Sequence, residues 1–303
     1  MVDVAQSLEL GSSATCWLCG QHTLVTVRES SLPQDISKDN FKISNSDYGV
    51  TASIDRCSNC GFHQCTDMMD VLQFYEDMDD PGYEETREQR ALQERALLKC
   101  LPQPTASKPL RLLDVGAGSG ILVEEALEMG FDAIGVEPSQ SLQETANDLG
   151  IPVLKGVLPH PEISGKFDLI TIVDVIEHVP DPVGLIATAA ELLSENGTLI
   201  VVTPDRLSLV ARLMGRRWWH YRVAHIGYFD PKTLNFALER ANLRQTEFRR
   251  PTWYFPINYL VERTLSYFPK WMRFKFPDFI GQLVVPLNLR DSMIVGARKI
   301  SKD

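Results

Sequence analysis

The sequence predicts an α/β protein: a doubly wound, mostly parallel sheet of seven strands, preceded by a small metal-binding module. Three observations predict it. From residue 110 onward, short apolar runs alternate with helical patterns, as in a parallel sheet covered by helices on both faces. The strand-like run LRLLDV passes directly into a glycine loop holding Gly116, Gly118 and Gly120, and then into an amphipathic helix. Two Cys-x-x-Cys pairs, Cys16/Cys19 and Cys57/Cys60, stand ahead of all this.

The cysteine pairs read CWLCG and CSNCG. Each can present two thiolates from a tight turn to one tetrahedral Zn²⁺. Four thiolates leave no open coordination position, so the expected role is structural. Two local disulfides or a redox pair are the competing readings; the doubled motif and the lack of a secretory signal favour zinc. His63 and Cys65 lie close enough to substitute as ligands but read as ordinary strand residues. Cys100 reads as a small buried apolar residue.

These features divide the chain into a zinc-ribbon module over 1–70, a linker helix within 71–109 closed by Pro102, Pro104 and Pro109, and an α/β domain over 110–303. Aromatic and basic stretches stand out within it at about 206–225 and 251–287. Residues 243–249 and 292–298 read as the last two strands, forming an antiparallel edge.

At 303 residues and 44% hydrophobic content, the chain can support one α/β domain and an accessory module. The net charge of −10 divides unevenly, with −20 over residues 1–204 and +10 over 205–303. A basic C-terminal part can receive an anionic acceptor or a lipid surface. There Lys270, Arg273 and Lys275 interleave with Trp271, Phe274 and Phe276, the composition of an interfacial segment. The N-terminus lacks the basic start and apolar core of a signal peptide, which predicts a cytoplasmic protein with peripheral membrane contact. Nucleic acid is not expected as a partner: residues 1–70 hold only Arg28, Lys38, Lys42 and Arg56 as bases. The oligomeric state is left open.

The glycine loop has the spacing GxGxG. A dinucleotide fingerprint would place glycine at 121, where this chain has Ile121. Glu137 ends the next strand, where a carboxylate can hold two ribose hydroxyls. Together, DVGAGSG, Glu137, FDLITIVDVIEHVPDP and HIGYFDPKTL resemble the class I S-adenosylmethionine (SAM)-dependent methyltransferases, of Rossmann-like fold, over roughly 110–245. The resemblance implies that Gly116 and Gly118 wrap the methionine part of SAM, and that the stretches at about 206–225 and 251–287 are lid or substrate insertions. Glu137 would hold its ribose, and Asp114 would order the loop near its amino group. Val157 and Leu158 would border adenine, where the family often has an acid, and Asp174 would complete the cofactor side.

His178 follows the fourth strand at the ligand-binding end of the sheet and is a candidate general base. Asp174, Glu177, His178 and His225 also resemble the ExxEH…H arrangement of magnesium-dependent small-RNA 2′-O-methyltransferases and some ubiquinone-pathway O-methyltransferases. That likeness implies a Mg²⁺ site for acceptor hydroxyls, although Asp174 is one methylene shorter than the usual glutamate. Without a metal, His225 is a second candidate base, with Tyr228 as a hydroxyl partner at the rim. A double CxxC also occurs in methyltransferases of polysaccharide and natural-product clusters.

The expected function is methyl transfer to a small-molecule or glycan hydroxyl, on an anionic acceptor such as a nucleotide- or lipid-linked sugar. The alternatives are a sugar C-methyltransferase, or a zinc-ribbon nucleic-acid-binding protein with a degenerate methyltransferase domain.

Overall fold

Residues 14–43, 48–68, 71–77, 80–105, 107–265, 268–272 and 274–300 are described by a computed structural model. The N-terminal segment forms β1 (Leu24–Arg28), β2 (Ile54–Cys57) and β3 (His63–Gln64), paired antiparallel in that order. Three helices follow: α1 (Leu72–Glu76), α2 (Pro81–Glu84) and α3 (Arg87–Leu98). The strand–helix alternation then begins with β4 (Arg111–Val115), α4 (Ile121–Glu128), β5 (Asp132–Glu137), α5 (Gln140–Asp148) and β6 (Val153–Lys155). It continues through β7 (Phe167–Val173), α6 (Pro182–Leu192), β8 (Leu193–Pro204), α7 (Leu209–Met214), β9 (Gly227–Tyr228), α8 (Pro231–Arg240) and β10 (Leu243–Arg249). The chain ends with β11 (Trp253–Pro256), α9 (Ile257–Leu265), α10 (Asp278–Gly281), β12 (Val284–Leu287) and β13 (Ser292–Lys299).

The central sheet has seven strands in the order β10-β13-β8-β7-β4-β5-β6. Its β8-to-β6 run is parallel, and β13 runs antiparallel to both of its neighbours. The doubly wound sheet and its antiparallel edge are as the sequence predicts. Strands β4 and β7 are almost unbroken apolar runs because helices cover both faces. Local chemistry sets the helix starts. Asp181 caps α6 with Pro182 at its first turn, and Asp230 with Thr233 forms a capping box on α8. The chain moves outward from β4 through β5 to β6, then returns to β7 on the other side of β4. This reversal opens a crevice at the carboxyl ends of β4 and β7, where such sheets bind ligands.

The N-terminal sheet is completed by the far half of the chain. β3 pairs with β9, His63 opposite Tyr228 and Gln64 opposite Gly227. Cys16, Leu18, Cys57 and Phe62 pack in the same core as Phe229, Leu234 and the inner face of the central sheet. The segment expected as a linker is likewise built in. Arg87 and Arg95 of α3 pair with Glu124 and Glu125 of α4. Cys100 is a correction: it is exposed, because it follows the end of α3 beyond the buried Leu97 and Leu98. Among the described residues, no helix is long and apolar enough to cross a membrane. Residues 1–13 and Arg273 lie outside the described residues.

Candidate active site at the switch point of the sheet

After β4 the backbone turns with φ of 75° at Gly116 and 56° at Gly118, a left-handed conformation that favours glycine. Both positions are also crowded. An added Cβ would lie 2.4 Å from Val175 Cγ2 at Gly116 and 2.6 Å from the Tyr83 hydroxyl at Gly118. The Gly118 amide donates to Glu137 Oε2 and the Ser139 amide to Glu137 Oε1, each at 2.8 Å. Glu137 is therefore fixed at the end of β5 with accepting capacity left on both oxygens. Burial, partly opposed by these amides, holds its carboxyl above the usual range.

Asp114 accepts a hydrogen bond from Thr171 Oγ1 at 2.7 Å. Burial outweighs that bond and pushes the Asp114 carboxyl up to about 7. Across the cavity, burial and the charges of Asp114 and Asp174 push Glu94 of α3 up to about 8. Burial raises Asp174 as well. These three carboxyls line one cavity, where a bound cation would offset the cost of ionising them. Arg90, 4.2 Å above the Tyr83 ring, places a guanidinium on the same wall.

These groups line one cavity of about 770 Å³, within the roughly 300–1,000 Å³ of small-molecule sites. The residues fit SAM. The glycine loop leaves space for its main chain, Glu137 has accepting capacity for the ribose, and Val157 and Leu158 offer an apolar wall for adenine. The carboxyls would complement its ammonium and sulfonium, and Arg90 its carboxylate.

The other end of the cavity is built around His178. Its Nδ1 lies 2.6 Å from the Ala224 carbonyl and 2.5 Å from the Tyr75 hydroxyl. A carbonyl only accepts, so Nδ1 carries the proton, with the Tyr75 oxygen as a second acceptor of the same hydrogen, and Nε2 carries the lone pair. The His178 and His225 rings meet edge to face with centroids 4.7 Å apart. Burial lowers His178 to about 4 and His225 well below its ordinary value. Burial thus disfavours the protonated form of both rings, and a neutral ring nitrogen can offer its lone pair to a proton or a metal. Glu177, 1% exposed, accepts from Thr203 Oγ1 at 2.9 Å through Oε2, while its Oε1 has no partner. His225 Nδ1 is also buried without a partner. Glu177, His178 and His225 can each offer a ligand atom within 4.8 Å of the others.

Asp114, Gly116, Gly118, Glu137, Val157, Leu158, Asp174, His178 and His225 thus line one cavity. Two expectations are corrected. Tyr228 lies away from the cavity, because its pairing with β3 turns it into the N-terminal core, where its ring packs 5.1 Å from Tyr221. Asp174 lines the cavity at a left-handed φ of 50° but stands outside the Glu177–His178–His225 cluster, reducing the four-residue metal set to three. Of the arginines in the basic stretch 206–222, Arg222 lines the cavity, held by the Lys42 and Ile43 carbonyls. Arg206 is paired instead with Asp230.

Tyr75, Tyr83, Arg90 and Glu94 were not expected from the sequence. Their signal was the spacing of Arg90, Gln93 and Glu94, which puts three polar groups on one face of a helix that buries Leu97 just beyond.

The four N-terminal thiols form a second cluster. Cys16 and Cys60 sulfurs are 3.5 Å apart and Cys19 and Cys57 sulfurs 3.6 Å. These separations are too long for disulfides and close to the edge of about 3.8 Å of a tetrahedron with Zn–S bonds of about 2.3 Å. Cys65 is buried outside the cluster, and His63 Nδ1 faces the Gly61 carbonyl.

Fold and site together have the form of a methyltransferase domain. A sequence model of the methyltransferase domain matches residues 83–247, more than half of the chain; the protein belongs to that family. The ubiquinone biosynthesis O-methyltransferase of Methylococcus capsulatus is 34% identical over 112 residues, covering 34% of this chain and 47% of that protein. The chain spans about half the length of the curated relatives it matches. Among solved structures, a methyltransferase in complex with the Haloferax volcanii Trm112 activator shares the fold. Its TM-score is 0.53 and its identity 12%, over 73% of this chain and 93% of that one. A SAM-dependent methyltransferase of Thermotoga maritima is 23% identical with a TM-score of 0.48, over 72% and 95%.

Proposed function

We propose that this enzyme transfers the SAM methyl group to a hydroxyl of a small-molecule or glycan acceptor with a largely apolar body, and that a divalent ion on Glu177, His178 and His225 binds that hydroxyl. The observation that carries the reading is the pair of buried, unpartnered atoms Glu177 Oε1 and His225 Nδ1 beside the His178 ring. A cation there would stabilise the acceptor as its alkoxide or phenoxide. One carboxylate and two imidazoles suit Zn²⁺, Mn²⁺ or Fe²⁺ better than Mg²⁺. The Ala224 carbonyl, accepting from His178 Nδ1, keeps Nε2 available, as an outer hydrogen bond does for a ligating histidine.

SAM supplies a methyl group already activated on sulfur, so the protein's task is in-line positioning and exclusion of water. The apolar wall of Phe41, Ile43, Val71 and Leu72 favours a hydrophobic phenol or a lipid-linked sugar over a nucleotide-linked one. The ubiquinone-pathway relatives lend support to a phenolic hydroxyl. We further propose structural Zn²⁺ on Cys16, Cys19, Cys57 and Cys60. Elemental analysis of protein purified without chelator, combined with isotope-labelled SAM and panels of catechols and lipid-linked sugars, tests these readings. O-methylated product and a second metal lost in His225→Ala support them. Methyl transfer that is undiminished when only the zinc of the thiolate cluster remains would overturn the cation role.

A further inference from the structure

Exposed phenylalanine and tryptophan are concentrated in one stretch of the surface. Of the six found among the described residues, five fall within 268–279: Phe268, Trp271, Phe274, Phe276 and Phe279. Leu283 and Val284 extend the run. Trp271 is 84% exposed and Phe279 77%, so these side chains protrude rather than tile a flat patch. Surfaces seldom leave such an apolar group in water without a use.

The segment is held in place. The Asn258 side chain of α9 accepts from the Phe276 amide at 2.8 Å and donates to the Phe276 carbonyl at 2.9 Å. Between residues 258 and 284 the sequence has Arg263, Lys270, Arg273 and Lys275 against Glu262 and Asp278, within a C-terminal part of net charge +10. Protruding aromatics among bases match an anionic bilayer interface, which accommodates apolar side chains of any outline; a protein partner would need a pocket fitted to each.

We infer that residues 268–284 dock the enzyme on an anionic membrane surface. The placement is suited to a membrane-borne acceptor. β11 and β12 pair with Trp253 opposite Leu287 and Pro256 opposite Val284. Trp253 lines the active-site cavity, and Val284 ends the exposed apolar run. The docking segment is thus rooted at the cavity wall, so a lipid-borne acceptor could reach the site while its apolar part stays in the bilayer.

The test is flotation of the full-length protein with vesicles of phosphatidylcholine alone or mixed with phosphatidylglycerol, without acceptor, so that its outcome is separate from that of the methyl-transfer reading. Binding to the mixed vesicles is expected, and should fall at least about ten-fold in Trp271→Ala/Phe279→Ala, with SAM affinity unchanged. A blue shift of tryptophan emission on binding, lost in Trp271→Phe, would place that side chain in the bilayer. Absence of flotation, or flotation unaffected by the double substitution, would overturn the inference. So would a lipid-independent dimer, seen by sedimentation and abolished by the same substitutions, which would assign the face to a second copy.

Discussion

The Tyr75 hydroxyl lies 2.5 Å from His178 Nδ1, and the two rings meet edge to face with centroids 5.2 Å apart. This contact ties the segment ahead of α2 to the loop after β7, so the orientation of an acceptor-side imidazole depends on a residue about a hundred positions upstream. Tyr75→Phe keeps the ring contact and removes the hydroxyl. Turnover should fall about 2- to 10-fold, the effect of one hydrogen bond, with the SAM Kd within about two-fold. Turnover equal to that of the parent enzyme would mean that the Ala224 carbonyl alone orients His178.

Glu137→Ala removes the carboxylate held between the Gly118 and Ser139 amides. Loss of a charge-assisted contact to the ribose hydroxyls, on the order of 1.5–3 kcal/mol, should weaken SAM binding roughly 10- to 100-fold by calorimetry. An unchanged Kd would remove Glu137 from the site.

Arg90 and Glu94 should act on the amino-acid end of SAM only. Arg90→Ala is expected to weaken S-adenosylhomocysteine binding about ten-fold or more, while 5′-methylthioadenosine, which lacks that end, binds as before. Equal losses for both ligands would instead mean that α3 shapes the whole cavity.

Asp114 gives a pH signature in the ligand-free enzyme. Its carboxyl is pushed up to about 7 by burial, against about 3.9 in an unfolded chain. The folded state therefore holds this proton more tightly, so the contribution to stability is greatest below about pH 4 and is lost as pH rises towards 7. At pH 8 Asp114→Asn should be more stable than the parent by on the order of 1–4 kcal/mol, read as a higher Tm, with the gain vanishing near pH 4. A pH-independent difference would place the stabilisation elsewhere.

Cys57→Ser should abolish zinc binding at the N-terminal cluster and lower Tm. Because Phe62 contacts Phe229 with centroids 4.8 Å apart, and the Cys65 amide donates to the Ile226 carbonyl, the defect should reach the acceptor side. KM for acceptor is expected to rise more than the SAM Kd. A zinc-free protein of unaltered Tm would show that the thiols need no metal to hold this packing.

The fold was legible because β4, β5, β7 and β8 are largely apolar runs alternating with helices, a pattern set within each short window of sequence. The glycine loop was legible for the same reason: Gly116, Gly118 and Glu137 lie within 22 positions of one another. The His178 end of the cavity was only half legible. His178 and His225 stood out by residue type, yet Tyr75 and Arg90 are ordinary residues until the fold brings them to the cavity. Tyr228 was misplaced because it lies three residues after the cavity-lining His225, whereas its strand pairs with β3. Pairing across such a distance leaves no local trace.

The pairing of β3 with β9 joins residues 63 and 228, which are 165 positions apart. During synthesis, β3 emerges from the ribosome long before its partner exists. Its outer edge must wait, unpaired, while the whole β4-to-β8 sheet is made. Contacts of such sequence separation slow folding and expose strand edges to misassembly. The nascent chain should therefore acquire protease resistance in its N-terminal segment only once residue 228 has cleared the exit tunnel, and a holdase that covers the β3 edge in the interval should raise the yield of folded enzyme.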